Sequence, residues 1–190
     1  MNMQTEISGG RPANRRVTFL RHRSGATAVE FALLALPFAV LVFAILEISI
    51  SFAGQQILSN AADDVARQLR TGQLKSADVT EESLKTTICD RLAIVLAGDC
   101  NGLEVDLREF ATFGEAAAVR IAFTGDAGAR DLDTTGFDVA PGPSGSKNML
   151  RVFYKWPVVT DFMAKMMSNL KDGKTLHFAS VTWQNELFED

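Results

Sequence analysis

The sequence is poor in the residues from which active sites and metal centres are built. Two histidines and two cysteines occur in 190 residues. There is no CxxC pair, and neither His22 nor His177 has a ligand-like neighbour, which argues against a metal site. No G-x-S-x-G, P-loop, G-x-G-x-x-G or H-E-x-x-H is present, so the common nucleophile, nucleotide and metalloprotease signatures are missing. Only 5 prolines and 14 glycines occur, excluding collagen-like and low-complexity architectures. Charge is scarce as well, at 22% against 47% hydrophobic residues, which excludes a disordered acidic chain. These absences point to a non-enzymatic protein without a cofactor.

The charge that is present is unevenly placed. Residues 1–25 hold Arg11, Arg15, Arg16, Arg21 and Arg23 against the single acid Glu6, a net +4; since the whole chain is −4, residues 26–190 carry −8. Phe31 to Leu46 then contains no charge at all. Spanning a hydrocarbon core of ~30 Å takes ~20 mostly apolar helical residues. Phe31 to Ser49 meets that requirement at roughly 28 Å. In this frame Glu30 sits at the inner interface and Glu47 near the outer one, where a carboxylate is far cheaper than at mid-bilayer. Pro37 lies inside the span, a position that membrane helices tolerate. The juxtamembrane arginines Arg15, Arg16, Arg21 and Arg23 flank only the N-terminal side. By the positive-inside rule the N-terminus is cytoplasmic and the rest is outside, with the cluster on anionic headgroups.

Two other readings compete. A buried soluble helix fits poorly with a long uncharged run behind an arginine cluster. A secretory signal peptide would use Ser51-Phe52-Ala53 as its cleavage site, but Pro37 within the run and Glu47 just before the site oppose it. The pattern also continues past that site in helical phase. Ile57, Leu58, Ala61, Ala62, Val65, Ala66 and Leu69 fall on one face, with Asp63, Asp64, Arg67, Gln68 and Arg70 on the other. One helix from about Ala26 to Thr71 is expected, first wholly apolar and then amphipathic.

The start of this helix carries a motif. Gly25 is followed by four residues and then Glu30-Phe31, with basic residues upstream. This pattern resembles the cleavage site of type IV prepilins, and more closely that of the Tad (tight adherence, Flp-pilus) branch. Ala28 to Pro37 (AVEFALLALP), followed by Glu47, Gln55, Gln56, Ala61, Ala62, Ala66 and Arg67, is similar to the TadE-like family of pilus-assembly proteins. Val152 to Pro157 and Ala179 to Glu186 resemble that family's closing strands, although Leu187 stands where proline is expected.

The resemblance implies cutting by a membrane prepilin peptidase between Gly25 and Ala26, leaving the apolar helix in place. Glycine allows the slender, extended backbone a peptidase cleft needs. Glu30 becomes the fifth mature residue, beside Phe31. In pilin-like assemblies the new α-amino group of a neighbouring subunit would pair with such a carboxylate. The resemblance further implies a minor pseudopilin of a Tad pilus and secretion machine in the bacterial inner membrane. Its partners would be the membrane, the prepilin peptidase, other pilin-like subunits and the inner-membrane platform. Nucleic acid is not expected as a partner, because the external domain is acidic. An unprocessed single-pass anchor with a scaffolding or ligand-binding domain is the alternative.

The expected organisation is a leader (1–25), a membrane helix (26–53), its amphipathic continuation (54–72) and an external α+β domain (73–190). In that domain Glu81 to Ala97 reads as a helix, with Thr80 as N-cap and Gly98 as stop. Cys89 and Cys100 flank its end. In an oxidising compartment a disulfide is the favoured pairing, the alternative being two separate buried thiols. Period-two alternation marks strands at Leu103 to Arg108, Ala118 to Phe123, Met149 to Trp156 and Leu176 to Phe188. A short amphipathic helix marked by Phe162, Met163, Met166, Met167 and Leu170 is stopped by Gly173; such a stripe is more often core than an adaptable docking surface. Gly125 to Asn148 reads as a loop whose aspartates, Asp126, Asp131, Asp133 and Asp138, fit no EF-hand. The fold expected is therefore α+β and pilin-like: the long helix packed on an antiparallel sheet of three or four strands.

Overall fold

A computed structural model describes residues 25–96, 100–126 and 129–188. The basic positions Arg15, Arg16, Arg21 and Arg23 lie outside the described residues, as does Gly98. Helix α1 runs from Ala26–Arg70, 45 residues with Pro37 inside it, roughly 67 Å at 1.5 Å per residue. Alanine and leucine dominate its sequence, so propensity favours the helix even where no packing supports it. Arg67 and Arg70 lie in its last turn, where cations complement the helix dipole. Gly72, at φ +69°, then turns the chain in a conformation that suits glycine.

The chain divides into two units after Phe43. In the first, the described residues are the start of α1, and its large apolar side chains, Leu33, Leu34, Leu36 and Phe38 among them, are exposed. The second, Ala44–Asp190, is an α+β domain containing the remainder of α1 packed on a small sheet.

After a 3-10 turn at Ser76–Asp78 comes helix α2, Glu81–Leu92. Thr80 caps it in a reciprocal capping box with Ser83. The expected extension does not form over residues 93–96, and Ala97 lies outside the described residues. The helix closes at Ala93, whose N–H bonds to Cys89 O, and Val95 and Leu96 turn back onto Leu92 O. Strand β1 (Leu103–Phe110) follows, then helix α3 (Phe113–Ala118). The alternation over Ala118 to Phe123 does not produce a strand of that length. Thr112 caps a helix instead, its side chain accepting the Glu115 N–H, and the run of alanines suits that state. Val119 turns extended after α3, but within this stretch only Phe123 pairs as strand, in β2 (Phe123–Thr124), which joins β3 (Asp131–Leu132) in a separate hairpin.

β4 (Val139–Ala140), β5 (Lys147–Pro157) and β6 (Lys174–Gln184) complete the main sheet, in the order β4-β1-β5-β6. The sheet is mixed and not wholly antiparallel, because β4 runs parallel to β1. The connection between them spans 28 residues, 111–138, long enough to return the chain to the same end before pairing. β6 stops at Gln184 and does not continue to Phe188. There Asn185 turns inward, donating to the carbonyls of Gly142 and Pro143 and accepting from Trp183 Nε1. Between β5 and β6 lies helix α4, Asp161–Met167. It ends before Gly173 because the Ser168 hydroxyl bonds to Ala164 O while Ser168 itself turns extended. Its apolar residues divide: Met163 is buried, whereas Phe162 and Met166 are exposed.

The core lies between α1, α2 and one face of the sheet. Leu58, Ala61, Ala62, Val65, Ala66 and Leu69 of α1 meet Leu84, Ile88 and Leu92 of α2. Both pack on Leu103, Val105, Leu107, Leu150, Val152, Tyr154 and Trp156. Each fully buried leucine contributes about 2 kcal/mol, and the alanines of α1 bring its backbone close to the strands. The other sheet face is covered over β1 and β5, while Phe178, Ser180 and Thr182 of β6 stay exposed. Glu104 alternates outward as expected, but its neighbour Asp106 is completely buried.

Candidate functional site

The sequence motif occupies the first turns of α1. Gly25 is exposed and a Cβ there would meet nothing within 4 Å. Neither crowding nor a left-handed backbone therefore calls for glycine at this position. Glu30 and Phe31 are exposed on the helix surface, Phe31 at 73%. Among the described residues Glu30 has no ion-pair partner. From Val29 to Phe52 the large apolar side chains other than half-buried Val42 are exposed. The helix is long and apolar enough to cross a membrane, and its most apolar stretch is entirely unburied.

Glu47 is engaged within the second unit. Its Oε1 accepts the backbone N–H groups of Val159 and Thr160, and its Oε2 accepts the Thr160 hydroxyl at 2.6 Å. Thr160 also caps α4, its side chain accepting from Met163 N. One carboxylate of α1 thus fixes the entry of α4.

One turn further along α1 a second polar contact joins the helix to β6. Ser51 Oγ lies 3.0 Å from His177 Nε2, and both residues are buried. The His177 ring stacks on Trp156 at 5.0 Å between centroids. Burial lowers the imidazole pKa to about 4, so at neutral pH the ring is uncharged and its hydrogen bond to serine is a neutral one. A serine beside a histidine could in principle form a nucleophile–base pair. Here both are buried between helix and sheet, and the pair clamps α1 onto β6. Gln55 extends the clamp by donating to Phe178 O at 2.9 Å. Neither Ser51 nor the Glu47 partners stand out in the sequence, because their contacts bridge more than a hundred residues.

Cys89 and Cys100 are joined by a disulfide with 5.8 Å between their Cα atoms. It ties the end of α2 to the approach to β1. In the aspartate-rich segment, Asp131 lies between Lys155 (2.8 Å) and Lys171 (2.9 Å). Burial opposes ionisation of Asp131, yet hydrogen bonds from Lys155, Lys171 and the Leu132 N–H override it and hold the pKa at about 2. Asp133 accepts the Thr135 N–H and Asp138 the Val139 N–H. These carboxylates are spent on turns and ion pairs. Among the described residues no group of three or more His, Cys, Asp or Glu side chains could hold a metal ion.

The described residues thus comprise an exposed apolar helix with the motif at its start, and a domain whose sheet is clamped to the second half of that helix. No curated protein and no solved structure matches the chain. Residues 25–67, from the glycine of the motif to the last turn of α1, match the model of the TadE-like protein family.

Proposed function

We propose that the chain is a minor pilin-like subunit of a Tad (Flp) pilus and secretion machine. It would be held in the bacterial inner membrane by α1, with the N-terminus cytoplasmic and the α+β domain periplasmic. A prepilin peptidase trims it between Gly25 and Ala26. The trimmed helix then bundles with those of other pilin-like subunits on the inner-membrane platform. The role is mechanical, without catalysis and without a cofactor.

The observation that carries this reading is that the family match begins at Gly25 and ends at Arg67. It thus covers the scissile motif, the apolar span and most of the amphipathic continuation. The structure supports it in two ways. Among the described residues nothing crowds Gly25, in keeping with a glycine that serves another protein's cleft. Glu30 stands exposed at the head of an apolar helix, where it can meet a cation only from outside the described residues.

N-terminal sequencing of the membrane-extracted protein tests the proposal. In cells with an active prepilin peptidase the chain should begin at Ala26, and Gly25→Ala should leave it uncut. An intact N-terminus in such cells would instead identify an unprocessed single-pass anchor. Glu30→Ala should insert and be trimmed normally yet fail to support piliation; normal piliation would remove the assembly role of this carboxylate.

A further inference from the structure

Helix α4 exposes Phe162 and Met166, at 56% and 69%, and Val159, two residues before the helix, is 84% exposed. Phe162 and Met166 are four residues apart and share one face of the helix. Exposed Lys165 lies beside them, while Met163 and Leu170 turn into the protein. Large apolar side chains open to their surroundings on a short helix mark a surface that meets something other than water.

The level of α4 along α1 is fixed at both of its ends. At its start, Val159 and Thr160 bond to Glu47, which lies two residues, about 3 Å, before Ser49 at the end of the apolar span. At its end, Met167 O accepts the Thr175 hydroxyl at 2.9 Å. β6 runs in the same direction as α1, with His177 at Ser51, Phe178 at Gln55 and Glu186 at Arg70. Thr175 precedes His177 by two strand residues, about 7 Å. Glu47 precedes Ser51 by four helical residues, about 6 Å. Both ends of α4 therefore lie at the level of Glu47, and the helix is laid across the axis of α1. At that same level α1 exposes Ile45, Leu46, Ile48 and Ile50.

We propose that α4 is a second membrane contact, lying flat in the headgroup layer of the leaflet through which α1 leaves the bilayer. Val159, Phe162 and Met166 enter the acyl boundary, and Lys165 reaches the lipid phosphates. The inference rests on the reading that α1 spans a membrane. Amphipathic helices take this in-plane position when an apolar face is flanked by cations. Glu47 is suited to it, because at this depth the turn into α4 must leave no N–H unpaired, and one carboxylate accepts from three donors there. The domain would then be held by two points, which fixes its tilt and rotation against the membrane.

The test uses the full chain with its disulfide intact, reconstituted in vesicles of phosphatidylethanolamine and phosphatidylglycerol. A single cysteine at Phe162, or independently at Met166, carries an environment-sensitive fluorophore. Nitroxide-bearing lipids report its depth. Two further sites serve as references: Leu41 in the span, and Leu187, 92% exposed and next to Glu186, which bonds to Arg70 at the far end of α1. Labels at 162 and 166 should be blue-shifted and quenched by shallow nitroxides at least about twofold more than the label at 187. Quenching at 41 with none at 162 and 166 would overturn the proposal and leave the spanning helix standing. A blue shift that needs a high protein-to-lipid ratio, without quenching, would show that a second copy covers the face and would also overturn it. Failure of quenching at 41 would remove both the spanning helix and this contact.

Discussion

Gly54 of α1 lies flat against the indole of Trp156: a Cβ at position 54 would stand 2.6 Å from Cη2 and 3.0 Å from Cε3. Trp156 is itself held between this glycine and the ring of His177, which bonds to Ser51. Over the single turn at residues 51–54 the helix thus packs on the sheet with no room for a side chain at position 54.

Gly54→Ala sets two effects against each other. Alanine in a helix interior is worth about 1 kcal/mol over glycine. Overpacking against an enclosed indole costs typically 1–3 kcal/mol, and Trp156 is pinned on its other side. The clash should win, lowering the urea midpoint of the detergent-solubilised chain. Pairing it with Trp156→Leu should recover part of the loss. A Gly54→Ala protein as stable as the parent would mean that the indole swings aside freely.

Stability should fall between neutral and mildly acidic pH. The folded protein holds His177 at about 4, whereas in the unfolded chain it titrates near 6.5. Over that interval the unfolded state binds the extra proton. The stabilisation is whole above about 6.5 and is lost as pH drops towards 4, by on the order of 2–3 kcal/mol. Below about 4, Asp131 adds to the loss, because its pKa of about 2 in the folded state lies under its unfolded value. Urea midpoints from pH 7.5 to 4.5 should slope downwards in the parent and flatten in His177→Gln. An unchanged slope in that variant would assign the effect to other groups.

What was legible in the sequence follows from periodicity. The stripe Leu58 to Leu69 repeats every three or four residues and is the core face of α1. Leu150, Val152, Tyr154 and Trp156 alternate and line the same core. Thr80 was readable as a cap because capping is local chemistry. The back of the sheet was not legible. Asp106 alternates with Val105 and Leu107 as a solvent-facing residue would, yet it is buried because Arg151 pairs with it and Phe137 and Asp138, distant in sequence, close over the same face. The partners of Glu47 were equally hidden. The carboxylate could be placed at the edge of an apolar run, but Val159 and Thr160 lie 112 and 113 residues away, and nothing in the local pattern links them.

Reduction of the Cys89–Cys100 disulfide should destabilise the domain without unfolding it. The bond closes a short loop, with a sequence separation of 11. A loop of that size is worth about 2–3 kcal/mol in unfolded-state entropy. Leu84, Ile88 and Leu92 remain packed on α1 and the sheet regardless. Urea unfolding with and without dithiothreitol should show that difference, and Cys89→Ser with Cys100→Ser should reproduce it. Complete unfolding on reduction would mean that the disulfide, and not this apolar contact, holds α2 in place.

Asp106 and Arg151 face each other across β1 and β5, and their removal one at a time should be far worse than together. Asp106 Oδ2 accepts from Arg151 Nε at 2.9 Å and Nη2 at 2.6 Å, and Oδ1 accepts the Asp138 N–H at 3.2 Å. Arg108 adds a further hydrogen bond through Nη2, while its Nε lies 2.8 Å from Oδ1 without hydrogen-bond alignment. The Arg151 guanidinium also rests over the rings of Phe137 and Phe153. Asp106→Ala strands that buried cation and should cost about 3–5 kcal/mol. Asp106→Leu combined with Arg151→Met removes both charges and fills the space with apolar atoms, so most of the loss should return. A double-mutant cycle measures this directly, with a coupling energy of about 2–3 kcal/mol expected for so close a pair. Additive losses would mean that water already reaches Arg151 and that the back of the sheet opens in solution.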